Sequence, residues 1–84
     1  MSDEELTALA AKAFGKAQHG FSPLTDDGDA FRLAVSMFRD IHFWYFDNSV
    51  SVGNEQRVVC GDDPCATTRL AIVRAAAEVG RGMP

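Results

Sequence analysis

The first part of the chain repeats apolar residues three and four positions apart, the spacing of an amphipathic helix: Leu6, Leu9, Ala10, Ala13 and Phe14. Ser2 and Glu5 match the capping-box pattern, in which the serine caps the Glu5 amide and the glutamate reaches back. Gly15 offers a left-handed stop, although Ala17 allows one more turn. We therefore predict a first helix over about Asp3–Phe14.

A second apolar stripe follows a loop. Residues 15–24 contain two glycines and a proline, which interrupt regular structure. Thr25 or Asp26 can cap the next helix, and its acidic first turn suits the positive end of the helix dipole. A wide apolar stripe then predicts a helix over about Asp27–Asp40: Phe31, Ala34, Val35, Phe38 and Ile41.

The pattern next changes to short runs that favour strands. The aromatic run His42–Phe46 is typical of a strand, and Asp47-Asn48 is a turn signal. Ser49–Val52 alternates polar and apolar residues with a period of two. After a turn at Gly53-Asn54, Gln56–Cys60 predicts a third strand, and we expect a three-stranded antiparallel meander.

A third helix closes the pattern. Asp63 as the cap, with Pro64 at the first helical position, is a strong helix start. The helix is predicted to run to about Val79, where Gly80 and Gly82 end it. The order α-α-β-β-β-α does not alternate strands with helices, so we predict the α+β class, with the meander packed against three helices. The chain is short enough to form one small globular domain over residues 1–84.

Loop length decides which side chains share a face of the predicted sheet. With residues 47–48 as a two-residue loop, Tyr45 faces Val50. Phe43 then faces Val52 on the same side, and a four-residue loop keeps this parity.

The opposite side carries a second aromatic set, His42, Trp44 and Phe46, beside two serines of the next strand. Either the protein's own helices cover this face or it is exposed as an interface, and we take these three residues as the candidate interface. A three-residue loop would instead reverse the parity and send Trp44 and Phe46 into the core.

Composition narrows the functional classes. Eight basic and twelve acidic residues give a net charge of −4, which argues against nucleic acid and anionic membranes as partners. No apolar run approaches the length needed to span a bilayer, and the acidic start MSDEEL lacks a signal-peptide core. We therefore expect a cytoplasmic protein.

Residues with chemical potential are few. Cys60 and Cys65 are predicted to be free thiols, because two cysteines make neither a disulfide framework nor a zinc site. The acidic cluster Asp26–Asp29 is interpreted as a helix N-terminus, since the rest of a calcium loop is missing. The arginines Arg69 and Arg74 are expected on solvated helix faces. No catalytic motif is present, so we predict no catalytic residue, no cofactor and no bound metal.

Two stretches carry a family resemblance. Pro23–Val35, with the sequence PLTDDGDAFRLAV, resembles a motif of small uncharacterised proteins from tailed phages and prophages of proteobacteria. Gly61–Pro64 followed by Ala66–Arg69 and Ala71–Glu78 is similar to the C-terminal motif of the same proteins. They look related to the phage domains called ABA sandwiches, in which helices lie on both faces of a small sheet.

The resemblance implies a small phage- or prophage-encoded accessory protein in the cytoplasm of a bacterial host. We expect it to bind a host or phage protein, or a second copy of itself as a homodimer, and to modulate a host process or defence system. The alternative is a small-ligand or nucleotide-binding domain with a pocket between sheet and helices. An apolar patch without a concavity favours protein binding, whereas a deep pocket with converging polar groups favours ligand binding.

Overall fold

Three helices and three short strands make up the fold. The computed structural model describes residues 2–15, 20–37, 40–44, 46–53 and 55–83. The elements are α1 (Asp3–Phe14), α2 (Asp27–Met37), β1 (Ile41–Trp44), β2 (Ser49–Val52), β3 (Val58–Val59) and α3 (Pro64–Arg81). The sheet has the order β1-β2-β3, and both neighbouring pairs are antiparallel. The predicted α+β class, element order and antiparallel meander are confirmed.

Capping fixes both ends of α1 where the sequence predicts them. The Ser2 hydroxyl oxygen accepts from the Glu5 backbone N–H at 3.2 Å, and the same hydroxyl donates to the Glu5 carboxylate at 3.2 Å. Gly15 adopts the left-handed conformation with φ of 77°, and its N–H donates to the Ala11 carbonyl at 2.9 Å. A residue without a side chain adopts this φ at no steric cost, so the helix ends there.

The cap of α2 is Asp26 rather than Thr25. One Asp26 carboxylate oxygen accepts from the backbone N–H groups of Gly28 and Asp29, at 2.8 and 3.2 Å. The helix extends to Met37 in the described residues, and the predicted end at Asp40 is wrong because Asp40 is no longer helical.

The face that α2 buries differs from the predicted stripe. Ala30, Leu33 and Ala34 are buried, whereas Phe31 and Val35 are 70% and 65% exposed. Two apolar stripes overlap on this helix, and the stripe of Ala30, Leu33 and Ala34 is the one buried where α2 packs on α3. Of the other members of the predicted stripe, Phe38 lies outside the described residues and Ile41 begins β1.

β2 has the predicted bounds Ser49–Val52, whereas the other two strands are shorter than the sequence predicts. β1 ends at Trp44, Tyr45 lies outside the described residues, and Phe46 belongs to a turn. The third strand covers only Val58–Val59 instead of Gln56–Cys60. The predicted end of α3 also moves, because the helix continues through Gly80 to Arg81.

One buried cluster connects the helices with the central strand. α3 packs on β2 and β3, while α1 and α2 pack on α3. Val50 and Val52 of β2 are fully buried in this cluster, to which no residue of β1 belongs. Within the described residues β1 contacts β2 and no helix, so the helices reach the sheet from one face. The coverage of both sheet faces that the resemblance implies is therefore not found among the described helices.

Candidate functional site

The register of the β1–β2 hairpin places the aromatic side chains. Phe43 pairs with Val50, and Trp44 pairs with Ser49. Four residues therefore separate the last paired residues of β1 and β2, and this even number keeps the predicted parity. The expected partner of Phe43 is wrong, because the longer loop shifts the pairing by two residues and sets Ile41 opposite Val52. The predicted position of Tyr45 opposite Val50 is wrong for the same reason, since Val50 pairs with Phe43, and Tyr45 itself lies outside the described residues.

Phe43 lies on the helix side of the sheet and is nevertheless 64% exposed. Its cross-strand neighbour Val50 is fully buried under α3. The difference arises because α3 covers the middle of the small sheet and does not extend over β1. The sequence had indicated that Phe43 fills the core with the valines of β2. Instead, its ring lies beyond the edge of α3 and is mostly exposed.

The other face of the sheet carries His42 and Trp44. Their rings stack with centroids 4.0 Å apart and an interplanar angle of 21°. The guanidinium carbon of Arg57 lies 4.2 Å from the centroid of the Trp44 ring. An arginine at this distance from an indole gains cation–π attraction, which holds both side chains in place. Arg57 is held further by a 2.8 Å ion pair with Asp47.

Exposure distinguishes the three residues of the candidate interface, which we call the aromatic surface: His42, Trp44 and Phe46. Trp44 is 37% exposed because its neighbours cover part of the ring. Phe46 is 96% exposed, and it stands in the loop instead of on the strand face. Opposite Trp44, the Ser49 hydroxyl is buried and has no hydrogen-bond partner in the described part of the chain.

An apolar groove of about 570 Å³ lies beside the aromatic surface, between the start of α2, the start of α3 and Phe43. Its wall includes the rings of Phe31 and Phe43 together with Pro64 and Ile72. A second cleft, of about 600 Å³, shares Phe43 and Pro64 with the groove and includes Trp44. The groove and the aromatic surface therefore form one continuous exposed apolar region.

The polar groups of the groove bond to one another. Arg69 donates from Nε to the Leu24 carbonyl at 2.9 Å, and its guanidinium pairs with the Asp27 carboxylate. The Thr68 hydroxyl donates to the Pro64 carbonyl at 2.7 Å. Arg69, with a side chain only 19% exposed, is thus a tie between α3 and the loop before α2, and the expectation of a solvated arginine is wrong at this position.

The acidic cluster has structural partners. Asp26 caps α2, and Asp27 pairs with Arg69. Asp29 accepts from the Ser22 backbone N–H at 2.8 Å and pairs with a neighbouring arginine of the same helix. These contacts agree with the interpretation of the cluster as acidic residues that cap and stabilise the N-terminus of α2. No cluster of three or more metal-ligating side chains occurs in the part of the chain that the structure describes.

Both cysteines are free thiols in different surroundings. Cys60 is 6% exposed, and its N–H donates to the Asn48 carbonyl at 2.7 Å. Cys65 lies exposed in the first turn of α3, at the wall of the groove.

Comparison with known proteins identifies no relative. No protein-family model, no curated protein and no solved structure matches the chain. Among the described residues, no helix is both long enough and apolar enough to cross a membrane.

Two features of this region were missed from the sequence. The first is the groove, whose wall includes Phe31. Phe31 and Val35 are four residues apart on α2, so the sequence showed that they share one face of the helix, but not that this face is exposed. Arg57 over Trp44 gave no local signal, because the two residues meet only through the register of the sheet.

Proposed function

We propose that the chain is a non-enzymatic protein-binding module that uses the aromatic surface. The observation that carries the proposal is the position of Trp44, partly exposed on a sheet face that no described helix covers. Tryptophan and arginine are the side chains most often found as energetic anchors in interfaces. Here Trp44 and Arg57 stand together with His42.

The rigidity of this group supports binding. Ordering a side chain on association costs about 0.5–1.5 kcal/mol for each rotamer-rich residue. His42 stacks on Trp44, and Asp47 holds Arg57 over the same ring before any partner arrives. Much of the ordering is therefore present in the unbound protein, so more of the contact energy contributes to affinity.

The phage or prophage origin, a host or phage protein as partner and the modulation of a host process follow from the family resemblance alone, and they remain part of the proposal. A second candidate is a small-ligand domain, which the size of the groove favours, because ligand pockets commonly measure ~300–1,000 Å³. The mutual pairing of Arg69 with Asp27 counts against it, since among the described residues that line the groove these two charged groups already bond to each other and not toward a nucleotide.

Substitution of Trp44 by alanine tests the proposal. We expect the Trp44→Ala variant to stay folded and to lose less than ~2 kcal/mol of unfolding free energy, because the ring is exposed on one side. The matched core variant Leu33→Ala removes a fully buried side chain and should lose ~2–5 kcal/mol. Urea denaturation followed by circular dichroism measures both values.

Binding is measured with the same variant. Tagged wild-type protein should retain a stoichiometric protein partner from a bacterial lysate, and Trp44→Ala should lose it. Val79→Ala removes an exposed apolar side chain of α3 and should bind as the wild type does. If Trp44→Ala unfolds, or if it binds as tightly as Val79→Ala, the aromatic surface is not the binding site.

A further inference from the structure

The free edge of β1 is unprotected. β1 is an outer strand of the sheet, and no described strand or helix lies against its other edge. Natural edge strands are usually blunted by charged residues, prolines, bulges or short length. β3, at the opposite edge, is only two residues long. β1 has four residues, Ile-His-Phe-Trp, without lysine, acid or proline.

The hydrogen-bond phase of the sheet shows which groups face this edge. The Gly53 N–H donates to the Asp40 carbonyl at 2.8 Å. In an antiparallel ladder, alternate residues direct their backbone groups to the same neighbour, so His42 and Trp44 also point toward β2. The N–H and C=O groups of Ile41 and Phe43 therefore point outward from the free edge.

We infer that this edge pairs with the same edge of a second copy of the chain, forming a twofold-symmetric dimer with a continuous six-stranded sheet. A twofold axis that relates two antiparallel edge strands runs perpendicular to the sheet, so the helix side of both copies lies on the same side of the joined sheet. With His42 on the axis, Ile41 of each copy lies opposite Phe43 of the other. Both residues have outward-facing backbone groups, so this register forms four hydrogen bonds between the copies. The registers shifted by two residues would each set one outward-facing residue on the axis, opposite itself.

The side chains at the β1 edge also favour a second copy of the chain as the partner. Ile41 and Phe43 point to the helix side of the sheet and are 36% and 64% exposed. In the proposed register, Ile41 of the second copy packs beside Phe43 at the groove that Phe31 also lines. The exposed parts of Phe31 and Phe43 amount to roughly 250 Å², about a third of the ~800 Å² that a standard interface buries per partner.

Charge supports a copy of this chain over a basic partner. The protein has a net charge of −4, so two copies repel each other at long range, and a stable dimer needs a contact surface that adds no close pairs of like charges. β1 contains no acidic or basic residue apart from His42, and the nearby Asp27 is neutralised by Arg69. Within β1 the edge therefore offers no acid to a basic peptide, and in the proposed register Asp40, just before β1, lies opposite Trp44 of the second copy and not opposite another acid.

This inference uses the backbone edge of β1, whereas the proposed function uses side chains on a sheet face; of the aromatic surface only His42 lies at the twofold axis, and Phe46 stays outside the paired strands. Sedimentation of the full chain over a concentration series should show a mass of twice 9.1 kDa. Phe43→Lys places a charge at the pairing edge and should raise the dimer dissociation constant at least about 30-fold, the factor expected for loss of an interface anchor. Phe46→Lys, the same change in the adjacent loop, should leave the mass unchanged.

Amide hydrogen exchange by NMR provides a second measurement that needs no variant. The amides of Ile41 and Phe43 should become protected as concentration rises, whereas those of His42 and Trp44 are protected by β2 at every concentration. A monomer throughout the series, equal effects of Phe43→Lys and Phe46→Lys, or unprotected Ile41 and Phe43 amides in a dimer would overturn the inference. Trp44→Ala should remain dimeric, which separates this result from the failure or success of partner binding.

Discussion

Gly80 of α3 lies directly against the backbone carbonyl of Leu9 in α1. A Cβ atom added at Gly80 would stand 2.1 Å from the Leu9 oxygen, closer than any real contact. The surrounding helix faces are built from alanines, among them Ala10 and Ala76, which are fully buried. Small side chains thus let the two helix backbones approach, and this contact is the most extensive between any two elements described.

This contact predicts a large effect of a single methyl group. Gly80→Ala should destabilise the protein by ~1–3 kcal/mol, even though alanine is the better helix former, because the α1 backbone must move away. The measurement is the free energy of unfolding from urea denaturation.

Gly82→Ala is the matched control two residues later. Its added Cβ would meet nothing closer than 3.6 Å, and the residue has a φ of −81° that alanine adopts freely. We expect a change between zero and a gain of ~1 kcal/mol. Equal losses in the two variants would show that helix fraying, and not the Leu9 contact, determines the result.

Arg69 is expected to contribute more to stability than its surface partner. Arg69→Ala removes the bond to the Leu24 carbonyl and the pair with Asp27, and should lose ~1.5–3 kcal/mol. Asp27→Asn should lose less than ~1 kcal/mol, because the carboxylate is 73% exposed and the bond to Leu24 remains.

Arg74→Ala provides the control for helix propensity and charge. Arg74 is exposed on the same helix, so its replacement should change the unfolding free energy by less than ~0.5 kcal/mol. Thermal melts of the three variants in parallel rank them. A loss at Arg74 as large as that at Arg69 would contradict the tie between α3 and the loop before α2.

The two cysteines should react at different rates. Cys65 is exposed and should react with a thiol reagent in the native protein, whereas Cys60 is 6% exposed and should react only after opening. Titration should therefore find one fast thiol in native protein and two in denaturant. Two fast thiols in the native state would show that the end of β3 is open in solution.

Local signals were sufficient where one interaction decides a boundary. α1 begins and ends as predicted because Ser2 and Gly15 act within a few residues of the chain. The antiparallel meander was also predictable, since its turns lie in the sequence between the strands. These features depend on contacts between neighbours, which a sequence records directly.

Other features depend on which surfaces meet. α2 carries two overlapping apolar stripes, and the sequence alone could not show that α3 would take Leu33 and leave Phe31 outside. Gly80 looked like a helix end because glycine disfavours helices, but the close passage of Leu9 makes it the residue that fits there. The parity of the sheet was predicted, whereas the exposure of Phe43 followed from how far α3 extends.

No side chain of β1 belongs to the buried cluster, and this affects which substitutions the protein can accept during evolution. A substitution in β1 alters what the outside of the molecule presents while the packing of the helices on β2 stays as it was. Under the proposed binding function, partner preference and folding stability are therefore encoded mostly in separate stretches of sequence. Under the same proposal, single substitutions in β1 would change which partner is bound while the protein stays folded.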